Sequence, residues 1–446
     1  MKRYLAQALF LTIFFSGVSF GQEKAKTDQA NYIHRAIKAV TDVMVYDIYS
    51  PPVTSRTYAY ISVAGYEVIR KGNPNYLTFA GQLNGLNNIP APEKGKEYNS
   101  ILAAVEAIIT TGKTMVISEK KLTDFERGIL DEFKNAGIPH DVMDNSIKYG
   151  KIVAQHIIAW AATDHYKEIR SLPDYSVKQG AAYWKPTPPA YIKAVEPNWN
   201  KLRTFVIDSA QQFRPEAPPE FSVDTLSTFY SDVAAVYQKV NKNSVEEKEI
   251  ANFWDCNPFK MNVRGHVMYA TKKVSPNGHW MNITRLTCEE SGADGIKSAE
   301  AYARVAVTLA DCFISCWDEK YRSSVIRPET YINKYIDPNW LPVLQTPPFP
   351  EYTSGHSMVS SSAAIVLTKL FGPDFSFLDT TELEFGLQPR KYKSFIDAAK
   401  EAAISRFYGG IHYMPAIING QKEGFALGRY VDERLTTENS ENPSQR

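Results

Sequence analysis

Histidine and cysteine are scarce in this sequence, and neither sign of charge is in excess. Eight His, four Cys and a formal net charge of +1 are spread over 446 residues. With no long run of one sign, the charge balance excludes nucleic acid and anionic membrane surfaces as partners recruited by electrostatics. Four cysteines (Cys256, Cys288, Cys312, Cys316) fall in one 61-residue window, and a disulfide among them is permitted if the chain is exported. They form no C-x2-C pair and have only two histidines nearby, so spacing argues against a zinc site. Cys312 and Cys316 stand four apart on an expected helix, where direct bridging is awkward, and their redox state stays open. Long apolar runs are missing too. The Leu9–Phe15 stretch falls well short of the roughly 18 residues a membrane helix needs.

That stretch follows Met1-Lys2-Arg3 and precedes Ser19-Phe20-Gly21, which places small residues where a signal peptidase checks. Residues 1–21 therefore read as a cleaved signal peptide, which predicts an exported chain, periplasmic or secreted, with no membrane anchor afterwards. The remainder is of ordinary globular composition, rich in aromatics (26 Tyr, 22 Phe) and punctuated by 26 Pro.

Apolar residues recur at three-to-four spacing over Tyr32–Tyr49, Ser55–Arg70, Tyr98–Thr111, Thr123–Ala136 and Val142–Thr163. The same period returns at Val223–Lys239, Val245–Phe253, Ser298–Trp317, Ser357–Phe371, Tyr392–Ile404 and Pro415–Leu435. Between the two groups, Leu172–Pro219 is rich in Pro, Trp and Tyr and predicts an extended crossing loop whose aromatics pack. No strand alternation of any length competes. The expected fold is all-α: residues 22–446 form one compact unit of two helical bundles, the first over about 30–220 and the second over about 221–436.

The chemistry concentrates in the last third, in three blocks: Lys320 with Arg327-Pro328, Phe349-Pro350-Glu351-Tyr352-Thr353-Ser354-Gly355-His356, and Ser405-Arg406 with His412. Together they supply three cations, two histidines, a hydroxyl and a glycine amide. Guanidinium forks grip adjacent anionic oxygens, and lysine adds a compact point charge. That inventory suits a tetrahedral or trigonal-bipyramidal oxyanion. Lys320 continues the face Tyr302, Val305, Ala306, Leu309, Phe313, Cys316, so it leaves the buried side of a helix end. A buried ammonium needs a partner, and an anion is expected. Ser354-Gly355-His356 opens a helix that stops at Gly372-Pro373, which puts free amides and the helix dipole beside the ligand. Thr353 or Ser354 can also be a simple N-cap, and the two roles are compatible. Ser405 and Arg406 are expected to follow a helix, with Gly409-Gly410 turning the chain and His412 held on a loop before Pro415. His156 reads as a core or half-buried residue, and His34, His140, His165, His266 and His279 have no spacing that compels a role.

In the pattern K-x6-R-P, S-G-H and S-R-x5-H the chain resembles the vanadium-dependent haloperoxidases, which share their anion pocket with acid phosphatases of the phosphatidic-acid-phosphatase type. The string Phe-Pro-Glu-Tyr-x-Ser-Gly-His-Ser looks particularly like the bacterial iodoperoxidase branch. The resemblance implies a vanadate cofactor bound to the metal ligand His412, with Lys320, Arg327, Ser354, the Gly355 amide and Arg406 on its oxygens. It implies His356 as the acid–base residue, with Lys320, Arg327 and Arg406 as the polarising cations. Trp317 and Phe349 match aromatics on the halide side, and Asp255 and Asn257 match a segment supporting the second arginine. Hydrogen peroxide and a halide are the implied substrates, iodide first and bromide second, with a hypohalous product. The motifs cover roughly 253–412; the first bundle matches in length and helical character only.

One departure stands out. Related enzymes follow the last histidine with x3-D, but this chain has Ala416 there. A carboxylate orients an imidazole and raises its basicity. Its loss leaves orientation to a backbone carbonyl and weighs most against the rival reading, an exported acid phosphatase in which His412 is the nucleophile.

Overall fold

The computed structural model describes residues 29–264 and 266–438. The segment read as a signal peptide lies outside them. Helix α1 is helical over residues 29–46 of the described chain. It is followed by α2 (Pro51–Ile69), α3 (Ser100–Lys113), α4 (Glu119–Asn135), α5 (His140–Ala161) and the short α6 (Tyr166–Arg170). The second group comprises α7 (Thr228–Lys242), α8 (Val245–Phe253), α9 (Pro276–Ser291), α10 (Gly295–Ser323), α11 (Pro328–Tyr335), α12 (Gly355–Phe371), α13 (Phe395–Tyr408) and α14 (Met414–Arg434). The all-α expectation holds, with two small antiparallel hairpins added: β1 (Met261–Arg264) with β2 (Val267–Ala270), and β3 (Phe377–Asp379) with β4 (Arg390–Tyr392). No helix among the described residues is long and apolar enough to cross a membrane.

Helix α10 is the axis of the molecule. Nearly every side chain from Gly295 to Tyr321 is buried, as expected of a helix sealed on all sides by protein. It packs on α2 from the first group and on α9, α12 and α14 from the second. One apolar core therefore runs from Ile33 to Leu435 without a break between the groups. Asp294 caps α10 through the Lys297 amide, and Ser324 ends it in the left-handed region.

Asp311, midway along α10, organises the crossing loop. Its carboxylate accepts the amides of Phe205 (2.6 Å), Val206 (2.7 Å) and Ile207 (3.0 Å). Burial pushes its pKa up to about 6, and the three N–H groups oppose that shift. The loop's Trp184 and Trp199 are buried, as its aromatic content predicts.

Three glycines bring α14 onto α12. A Cβ at Gly424 would stand 2.2 Å from the Met358 carbonyl oxygen, one at Gly428 2.9 Å from that of Ser362, and one at Gly420 2.8 Å from that of Ser354. Only hydrogen fits at these contacts. The contact fixes the height of the α12 N-terminus, where Ser354, Gly355 and His356 lie.

Candidate functional site

The site forms where four loops meet the ends of α10, α12 and α13. Arg327 is the residue before Pro328 and the N-cap of α11, and it is fully buried. Its Nε donates to the Phe349 carbonyl (3.0 Å), and its Nη1 to the Ile411 carbonyl (2.8 Å), with His412 Nε2 at 3.1 Å. Arg406 lies inside the last turn of α13, so Ser405 and Arg406 end that helix and do not follow it as expected. Arg406 Nη1 donates to the Trp254 carbonyl at 2.7 Å.

His412 occupies the loop between α13 and α14, held from both sides. Nδ1 lies 2.8 Å from Glu351 Oε1, which also accepts the Tyr413 amide at 2.9 Å. Since Arg327 can only donate to Nε2, the proton belongs on Nδ1, and the Nε2 lone pair faces the Arg327 guanidinium. Burial and then Arg327, Lys320 and Arg406 drive the His412 pKa well below the ordinary value, so the ring is neutral. The same reasoning holds for His356, whose pKa is well below normal through burial, then Arg406 and His279. The Glu351 carboxyl is pushed up to about 7 by burial, against the pull of Arg327 and the Tyr413 amide.

A small cavity of about 30 Å³ brings Trp317, Phe349, Gly355, His356, Arg406 and His412 together, with Asn257 and Phe259 on its wall. The Trp317 and Phe349 rings meet at 5.0 Å, tilted by 52°, and the Trp317 indole is fixed by the Val195 carbonyl at 3.1 Å. Phe259 also borders an open groove of about 750 Å³ beside the crossing loop. Buried polar atoms around the cavity lack partners among the described residues: Arg327 Nη2, Arg406 Nε, His356 Nε2 and Asn257 Nδ2. Unpaired buried donors are rare in a finished core, and cation-borne ones point to an anionic ligand.

Three sequence-derived residues stand further back. Lys320 is fully buried, but its ammonium donates to the carbonyls of Pro350 (3.1 Å), Glu351 (3.2 Å) and Thr353 (2.5 Å). The structure thus gives it three carbonyl partners where an anion was expected, so that it holds the 350–353 segment. Burial lowers its pKa to about 8. Ser354 is the N-cap of α12, accepting from the Ser357 amide (3.3 Å) and hydroxyl (2.8 Å). Asp255 bonds Lys273 at 3.0 Å, so the direct support of Arg406 from this segment is the neighbouring Trp254 carbonyl.

Glu351 is the residue that the sequence reading missed. It supplies the carboxylate sought at Ala416, from the other side of His412. Ala416 is buried and offers only its carbonyl, to the Ser354 amide at 3.0 Å. The signal was present in the Pro-Glu-Tyr string, but pairing across 61 positions has no local signature. Glu423 was also missed: it accepts from the Ser315 and Thr353 hydroxyls, both at 3.0 Å, beneath Lys320.

Known proteins resemble this chain in sequence and fold. The family model for the VCPO second helical-bundle domain matches residues 300–440. A solved bacterial vanadium-dependent iodoperoxidase is 45% identical with a TM-score of 0.88, covering 93% of this chain and 98% of its own. A bacterial vanadium-dependent chloroperoxidase, solved in holo and apo forms, shares the fold at 14% identity with a TM-score of 0.64. The holo form covers 87% of this chain and 93% of its own. No curated protein matches the chain.

Proposed function

The chain belongs to the vanadium haloperoxidase family, and from that membership we propose an iodide peroxidase that holds vanadate at His412. The observation carrying the halide assignment is the 45% identity over 93% of the chain to an iodoperoxidase. Bromide is the second halide.

The donor set fits an oxyanion cofactor. His412 Nε2 would supply the ligand lone pair in place of its contact with Arg327, while Arg327, Arg406 and the Gly355 amide at the α12 N-terminus would receive the oxygens. Lys320 and Ser354 shape the 350–355 segment from behind, and Lys320 adds its charge to the site. When bound, vanadate supplies a Lewis-acidic centre at which hydrogen peroxide becomes electrophilic towards halide. His356, neutral and with Nε2 free, accepts and returns a proton at the cavity wall. Trp317 and Phe349 keep that wall apolar where the weakly hydrated halide approaches. The buried cations preorganise the field without reorganising during the reaction.

Glu351 also favours a second reading. A carboxylate–imidazole pair would equally orient a nucleophilic histidine, so the substitution at Ala416 no longer weighs against an acid phosphatase. The test is iodide oxidation by hydrogen peroxide with metal-free protein, before and after orthovanadate. Activity only after vanadate supports the peroxidase. Phosphate-ester hydrolysis that vanadate blocks, without iodide oxidation, supports the phosphatase. Residues 1–21 carry the case for export to the periplasm or beyond.

A further inference from the structure

Beside the cavity, with Cys256 on its wall, lies a second constellation that the peroxidase reading does not use. Cys256, His279, Asp379 and Glu382 are all essentially fully buried. His279 Nδ1 lies 3.4 Å from Cys256 Sγ and 3.3 Å from Glu382 Oε1, and the sulfur and that oxygen are 3.9 Å apart. Tetrahedral zinc, with bonds of about 2.3 Å to sulfur and about 2.0–2.2 Å to nitrogen or oxygen, holds its ligand atoms roughly 3.3–3.6 Å apart. Two edges of the triangle already match. The third closes with a small rotation of Glu382, whose Oε2 has no partner among the described residues.

The outer contacts suit the same purpose. His279 Nε2 lies 2.7 Å from Asp379 Oδ2, and Asp379 Oδ1 takes the Thr381 amide at 2.9 Å. A carboxylate on the far nitrogen orients a metal-binding histidine and raises its basicity. Trp254 stacks on the imidazole at 4.4 Å and keeps water off that face. A divalent ion there would meet one thiolate and one carboxylate, so its charge would be cancelled in place.

We propose that Cys256 Sγ, His279 Nδ1 and Glu382 bind one zinc ion, distinct from the vanadate site, with water in the fourth position. Cysteine, histidine and carboxylate in tetrahedral array select zinc over magnesium or calcium. The ion ties together α9, the turn after β3 and the 254–257 segment. That segment also carries the Trp254 carbonyl that holds Arg406. The sequence argued against zinc because the carboxylates come from more than 90 positions beyond His279 and the cysteine has no second cysteine beside it.

The test is metal analysis of the full chain, purified without chelator and then dialysed against a weak one, with vanadium measured in parallel. One zinc per chain is expected to remain. Zinc absent, and not taken up from micromolar solution, overturns the proposal. Cys256→Ser should lose the zinc, and Asp379→Asn should weaken it by about 10–100-fold. Full zinc retention by Cys256→Ser also overturns the assignment. Cobalt substitution of the unmutated protein decides the ligands without relying on a variant that folds. A thiolate-to-cobalt charge-transfer band with tetrahedral visible bands supports the site, and a bound cobalt without the thiolate band refutes it.

Discussion

His412 Nδ1 and Glu351 Oε1 are 2.8 Å apart in the core of the site, and no water separates imidazole from carboxyl at that distance. The pair fixes which ring nitrogen faces the cavity. Glu351→Ala removes the acceptor and frees the ring to change tautomer, so vanadate affinity should fall by about 10–100-fold. Glu351→Gln keeps a carbonyl oxygen able to accept from both Nδ1 and the Tyr413 amide, and should lose less. Titrating each metal-free variant with orthovanadate gives the ranking. Equal affinity in Glu351→Ala and the parent would show that the carboxyl does not set the ligand.

The two site histidines should separate binding from turnover. His412→Ala removes the lone pair offered to the cofactor, and should abolish vanadium retention along with activity. His356→Ala leaves that nitrogen and the arginines in place. It should retain vanadium near the parent level and lose about 10²–10⁴ in turnover. Vanadium content and steady-state iodide oxidation, measured on the same preparations, test both. A His412→Ala protein with full metal content would remove the residue from its assigned role.

Helices with an apolar stripe were legible in the sequence to within about two turns: Val245–Phe253 has the expected limits, while α10 runs on past Trp317 to Ser323. Helix α9 was not, because polar residues interrupt its buried face. Asn277 bonds the Pro51 carbonyl and Thr54, His279 bonds Asp379, and Trp280 bonds Ser360, so no hydrophobic period appears. The S-G-H and S-R-x5-H blocks were legible because their residues are close in sequence. Glu351, Glu423 and the Cys256–His279 cluster act through partners 23–126 positions away, which only the fold reveals. Lys320 illustrates the converse limit: its burial was read correctly from the helix face, but its carbonyl partners could not be.

The α12–α14 contact should tolerate no added carbon. At Gly424 a methyl group would stand 2.2 Å from a main-chain oxygen, which cannot rotate away as a side chain would. Gly424→Ala must push the helices apart and should cost about 1–3 kcal/mol. Gly128 on α4 meets nothing within 4 Å, so Gly128→Ala serves as the control and should be neutral or slightly stabilising. Urea midpoints for the two variants give the comparison. Since Ser354 sits on the same contact, Gly424→Ala should also weaken vanadate binding in the fraction that remains folded.

Raising the pH from 5 to about 8 should weaken both anion binding and the fold. Lys320 loses its proton near pH 8, where the ordinary value is 10.5, so one of the three cations fades above that point. Glu351 near 7 and Glu423 near 8 become negative over the same range, both close to Lys320. All three changes make the pocket less positive, and vanadate affinity should decline from about pH 7 upward. The two carboxyls act on stability with the same sign. Each keeps its proton in the fold at a pH where the unfolded chain, at 4.5, has released it. The folded state therefore binds more protons between about 4.5 and about 7–8, and stability falls as pH rises through that interval. Glu423→Gln is neutral at every pH and should flatten the upper part of that slope. Urea midpoints at pH 5, 6, 7 and 8 for the parent and Glu423→Gln measure it. Identical slopes would mean that Glu423 is ionised in the fold, and that its contacts with Ser315 and Thr353 carry a charge which burial alone should have expelled.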